Sequence, residues 1–99
     1  MNVQVLEMRL LQGDRALKAF ADIQLGDIVI REFRVIKENG KRPWIVSPQI
    51  SWKDPGGQIK YKTIITLPDE LKGEIDRIIL NRFSEELEKE RGKTDNSSF

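Results

Sequence analysis

Between residues 31 and 62, eight basic side chains stand against three acidic ones, and Trp44, Trp52 and Tyr61 are interleaved with them. The basic residues are Arg31, Arg34, Lys37, Lys41, Arg42, Lys53, Lys60 and Lys62; the acidic ones are Glu32, Glu38 and Asp54. Lysine and arginine neutralise phosphates, and an exposed indole or phenol offers a platform on which a base can stack. The flanking segments are acidic by balance: residues 1–30 carry three basic against four acidic side chains, and residues 63–99 carry six against nine. A net charge of +1 therefore conceals one basic region that a polyanion would prefer. Lys41, Arg42, Trp52, Lys53, Lys60 and Lys62 are the candidate nucleic-acid contacts. The same pattern also fits a solvated face, because strand residues of opposite parity point to opposite sides. On that alternative Tyr61 is core and Lys60 and Lys62 are its solvated neighbours. Trp44 is expected in the core, whereas Trp52 is expected in a loop that a small core cannot cover.

Other chemistry finds little support. With no histidine and no cysteine, the chain lacks the usual general base, the thiol nucleophile and the two commonest zinc ligands. Ser47, Ser51, Asp54 and Asp69 would need a base that the chain does not contain. Glu85, Glu86, Glu88 and Glu90 alternate with Lys89 and Arg91, the pattern of a solvated helix end. Gly56-Gly57 is a turn and no phosphate loop, since no G-x-x-x-x-G-K-[ST] pattern accompanies it. The expectation is a protein that is no enzyme, with no metal and no cofactor.

The elements that must position these residues follow from periodicity. Val3 to Leu11 is expected to be a strand. Leu17, Ala19, Ala21, Ile23 and Leu25 alternate with Lys18, Asp22 and Gln24, which marks a second strand with one buried face. Phe20 breaks the polar side of that pattern. Ile28 to Lys37 is a third strand, followed by Asn39-Gly40, a strong hairpin signal. Trp44 to Val46 is a short fourth strand that ends at Pro48, and Asp54-Pro55-Gly56-Gly57 is a turn. Gln58 to Leu67 is the fifth, with Ile59, Tyr61, Thr63, Ile65 and Leu67 on one face. After Pro68 the period changes to that of a helix, with Leu71, Ile75, Ile78, Ile79, Phe83 and Leu87 on one stripe and Gly92 as its stop. The fold class expected is α+β, a five-stranded antiparallel meander followed by one C-terminal helix. Ninety-nine residues suit a single domain over residues 1–91, with residues 92–99 as a flexible tail. Met1 to Gln4 has no basic or apolar leader character, and no apolar run approaches the roughly 20 residues of a membrane span, so a cytoplasmic protein is expected.

The order of these features resembles the stage V sporulation protein G (SpoVG) family. The likeness lies in Ile28 to Ile36 followed by Asn39-Gly40 and Trp44-Ile45-Val46-Ser47-Pro48. The first hairpin through Leu17 to Ile23, the glycine hairpin at Gly56-Gly57, Pro68 and the helix from Leu71 to Leu87 continue it. It extends over roughly Val3 to Phe83. The resemblance implies a small bacterial regulator that binds DNA and RNA, dimerises through its sheets, and affects sporulation, septation or virulence genes. It also implies a binding site on the hairpin after Pro48. There the family carries a serine and basic residues directly after the proline, where this chain has Gln49-Ile50-Ser51-Trp52-Lys53. The competing expectation is a protein-interaction module that uses strand edges and the helix stripe.

Overall fold

The computed structural model describes the backbone of residues 2–97 and the side chains of residues 2–91. Its element order is β1 (Val3–Leu10), β2 (Leu17–Leu25), β3 (Ile28–Ile36), β4 (Trp44–Val46), β5 (Gln49–Lys53), β6 (Ile59–Thr63) and α1 (Asp69–Ser97). The class is α+β, as the periodicities require. Six strands form two antiparallel sheets where five in one meander were expected: β1-β2-β3-β4 is one sheet and β5-β6 is the other. The extra strand is β5, within the segment expected to be a loop. Only Ile50 and Trp52 are apolar there, so no buried face announces it; its backbone is satisfied by pairing with β6.

Alternation in β2 places Ala19, Ala21, Ile23 and Leu25 on the inner face, where all four are buried. They meet Val3, Ile30, Phe33, Val35 and Ile45 from the neighbouring strands and Ile75, Ile79 and Phe83 from the helix. The helix thus covers one face of the four-stranded sheet, with contacts to β1 and β4. It begins after Pro68 with Asp69 and Glu70 in the first turn, where carboxylates favour the positive end of the helix dipole. Lys72 fastens it to the sheet, donating from Nζ to the Ile45 carbonyl and pairing with Asp76. Leu71 and Ile78 are half-buried and pack against the core as the spacing suggested, whereas Leu87 at the far end of the stripe is exposed. The backbone passes Gly92, the expected stop, and stays helical to Ser97. A single helical glycine costs only about 1 kcal/mol, too little by itself to end a helix. The flexibility expected of residues 92–99 lies outside the described side chains. Among the described residues no helix is long and apolar enough to cross a membrane.

Asp22 sits where both strands beside β2 break step. On one side Leu6 and Glu7 oppose it, because the register shifts between Val5 and Glu7. On the other, Arg31 and Glu32 oppose it, between the pairs Ala21–Phe33 and Ile23–Ile30. Each is a β-bulge, and each switches which residue parity faces inward. Glu32 adopts φ 70°, a left-handed conformation that costs a residue with a Cβ about 1–2 kcal/mol.

Replacing Ile79 by alanine should lower stability by about 2–5 kcal/mol, because its side chain is fully buried. Arg77→Ala, on the exposed side of the same helix, should change it by less than about 0.5 kcal/mol. Urea unfolding of both variants checks the helical phase; similar losses would place it wrongly.

Candidate nucleic-acid interface

Four of the six candidate contacts lie on the β5–β6 hairpin. Its turn is built by Asp54, whose carbonyl accepts from Gly57 N–H at 2.9 Å and whose Oδ1 accepts from Gln58 N–H at 2.9 Å. Gly57 has φ 83°, a value open to glycine and strained for most other residues. At the base, Ile64 N–H donates to the Pro48 carbonyl at 3.1 Å, and Ile65 and Leu67 pack against the core. Between turn and base the hairpin stands clear. Every residue of β6 and four of the five in β5 are exposed.

Residues directly opposite each other in a ladder share a face. The pairs Ile50–Lys62 and Trp52–Lys60 therefore lie on one face, and Gln49–Thr63, Ser51–Tyr61 and Lys53–Ile59 on the other. Trp52, Lys60 and Lys62 come together; Lys53 is separated from them, opposite Ile59 on the face that also carries Tyr61. Trp52 is 46% exposed on a strand, so it is open to solvent as expected, though it is not in a loop. Tyr61 is 59% exposed and is not core. The run from Ile59 to Leu67 does not form one buried face, since the strand ends at Thr63 and only Ile65 and Leu67 reach the core. Among the described residues nothing covers the rest, and every residue of β6 is exposed. Lys60 Nζ approaches Asp54 at 3.9 Å, a loose pair in water that leaves its charge largely available.

Lys41 and Arg42 lie in the loop between β3 and β4, both exposed. Lys41 N–H donates to the Glu38 carbonyl at 3.1 Å and its Nζ lies 3.5 Å from Glu38 Oε2. Neither residue belongs to the hairpin constellation. Trp44, expected in the core, is 38% exposed. It pairs with Ile36 at the edge of the sheet, on the face turned away from Ile45 and the helix.

The largest charge cluster is the one around Asp22, which the alternating pattern had marked only as polar. The residue is 1% exposed. Arg9 Nη1 and Arg31 Nη1 each donate to its Oδ2 at 3.0 Å, and Glu32 N–H donates to Oδ1 at 3.1 Å. Arg9 also pairs with Glu7 at 3.1 Å and Glu32 at 3.0 Å. Burial pushes the Asp22 carboxyl up, but the hydrogen bonds from Arg9, Glu32 and Arg31 together outweigh it and hold the pKa below the usual carboxylate value. The Arg9 guanidinium is raised by its hydrogen bond to Asp22, with burial opposing. Every acceptor here is committed to holding two bulges, so the cluster is structural. Among the described residues no three carboxylates gather in a way that could hold a metal ion.

No family model matches the chain, and no curated protein matches it in sequence.

Because the folded carboxyl of Asp22 titrates below its unfolded value, its stabilisation is complete above about pH 5 and is lost as pH falls through the folded pKa. Asp22→Asn keeps an acceptor for Glu32 N–H but loses the charge, and should cost about 1–3 kcal/mol at pH 7. Between pH 5 and 3 the wild type should lose stability more steeply than the variant. Denaturant melts at three pH values decide this; parallel pH profiles would mean Asp22 is not ionised in the fold.

Proposed function

We propose that this chain is a non-catalytic nucleic-acid-binding regulator of the SpoVG kind, acting in the cytoplasm as a dimer on DNA or RNA. One observation carries the reading: Trp52, Lys60 and Lys62 share one exposed face of a hairpin that projects from the body of the fold. The lysines neutralise successive phosphates and the indole stacks on a base. Lys53 contacts the strand from the opposite face, and Lys41 and Arg42 extend the basic field from the β3–β4 loop.

The dimer has its own support. β4 pairs with β3 only at Arg34, Val35 and Ile36, so among the described residues Ile28 to Phe33 has no partner strand on that side. Along this edge runs a groove of about 480 Å³ lined by Ile28, Val29, Ile30, Pro48, Ile64 and Ile65, among others. An unpaired edge beside apolar side chains invites another strand, and a second copy carries the same edge. Sedimentation at micromolar concentration should give twice the 11.5 kDa chain mass, and Val29→Lys should return the monomer. A monomeric wild type would remove the dimer from the proposal.

Titrations of duplex DNA at several salt concentrations test the binding face. Removing Lys60 and Lys62 together should flatten the salt slope by about 1.8, at roughly 0.9 per phosphate contact. Trp52→Ala should leave the slope unchanged and weaken binding to single strands by about 1–3 kcal/mol. Lys53→Ala should have the smaller effect of a single contact on the far face. Unchanged affinity and slope in the double lysine variant would exclude the hairpin. A protein-interaction role for the apolar groove would then be the better account.

A further inference from the structure

Across the sheet, on the face away from the helix, Arg9, Phe20, Arg34 and Val46 stand in one row of paired positions. The guanidinium carbons of Arg9 and Arg34 lie 5.8 and 5.9 Å from the Phe20 ring centre. The two arginines differ in one respect. Arg9 is neutralised by Glu7, Asp22 and Glu32. Arg34 has no ion pair and no hydrogen bond among the described residues, and its Nε is buried without an acceptor. Glu7, Asp22 and Glu32 from this face are committed to Arg9 and Arg31, so they leave Arg34 without a carboxylate. One row along, Leu17, Ile36 and Trp44 pair in sequence, which sets the exposed indole of Trp44 diagonal to Arg34. Diagonal neighbours on a sheet are within reach of long and aromatic side chains.

We infer that this open sheet face is a second nucleic-acid surface, which takes a single strand with a phosphate on Arg34 and a base stacked on Trp44. A guanidinium that rests on a ring but has no carboxylate or other acceptor among the described residues calls for an anion, and an exposed indole beside it calls for a flat π surface. A nucleotide supplies both at adjacent positions, whereas a lone carboxylate would leave the indole unused. The strand is single because a duplex keeps its base faces inside the stack. The inference rests on the reading of the chain as a nucleic-acid binder, and adds to the hairpin a separate surface with a strand preference.

The chain has two tryptophans, so in a Trp52→Phe background Trp44 is the sole indole and its fluorescence reports this face alone. Titration with oligo-dT should quench it. In the same background Arg34→Gln should weaken oligo-dT binding about tenfold and lower the salt slope by about 0.7, the value for one phosphate on a single strand. Trp44→Ala, at the exposed sheet edge, should weaken oligo-dT binding by about tenfold in the otherwise wild-type chain while duplex binding is unchanged. Thermal melts confirm that each variant is folded. If the wild type binds oligo-dT but Trp44 is not quenched, or both variants bind normally, the sheet face is not a site and the hairpin stands alone. Quenching by poly-glutamate in place of oligo-dT would overturn the inference in favour of an acidic peptide. If the wild type binds neither oligo-dT nor duplex, the proposed function itself fails.

Discussion

A single buried carboxylate sets the geometry of the main sheet. Asp22 is on the central run of β2, where four donated hydrogen bonds reach its two oxygens from strands on both sides. Charge in such a place is tolerated only when it is paired and fully hydrogen-bonded. Pairing it requires Arg9 from β1 and Arg31 from β3, and the backbone N–H of Glu32 completes the set. Both neighbouring strands carry an extra residue at that level. A one-residue slip turns every later side chain to the other face. Hence Val3 and Val5 face inward before the bulge in β1, and Met8 and Leu10 after it; Ile30 faces inward before the bulge in β3, and Phe33 and Val35 after it.

The bulges also govern what the outer face presents. With no helix over it, that face keeps its long side chains lying across one another. Arg9 and Arg31 close over Asp22, while Arg9 and Arg34 approach Phe20. Most charges on this surface are matched within it. Arg34 stands out because the matching stops short of it. The pairs of Arg9 with the exposed Glu7 and Glu32 add little stability and matter more for positioning than for energy, unlike the pairs on buried Asp22.

The hairpin obeys a different constraint. Two-stranded ribbons are marginal alone, and this one is held by its turn at Asp54, the bond between Ile64 and Pro48, and the packing of Ile65 and Leu67. Projection of this arm and a 29-residue helix gives a radius of gyration of 15.5 Å, against about 13 Å for a compact domain of this length. The exposed Ile50, Ile59, Tyr61 and Ile64 are the consequence.

What the sequence determined by itself is what short-range periodicity encodes. Alternation through Ala19, Ala21, Ile23 and Leu25 was enough to identify the buried face of β2, and the stripe of Ile75, Ile79 and Phe83 was enough for the helix and its core side. Those patterns are local, because each residue's face depends only on its neighbours' spacing. Asn39-Gly40 and Asp54 to Gly57 marked turns for the same reason. Tertiary structure alone decided the rest. Val3, Val5, Met8 and Leu10 change parity along β1, and only the carboxylate from another strand explains it. Whether Trp44 and Tyr61 are buried depended on which sheet faces are covered, a matter of layers rather than of spacing. The grouping of Trp52 with Lys60 and Lys62, and the separation of Lys53, came from pairing between strands. Register between strands is a long-range relation, and one chain's sequence records its result without showing its partner.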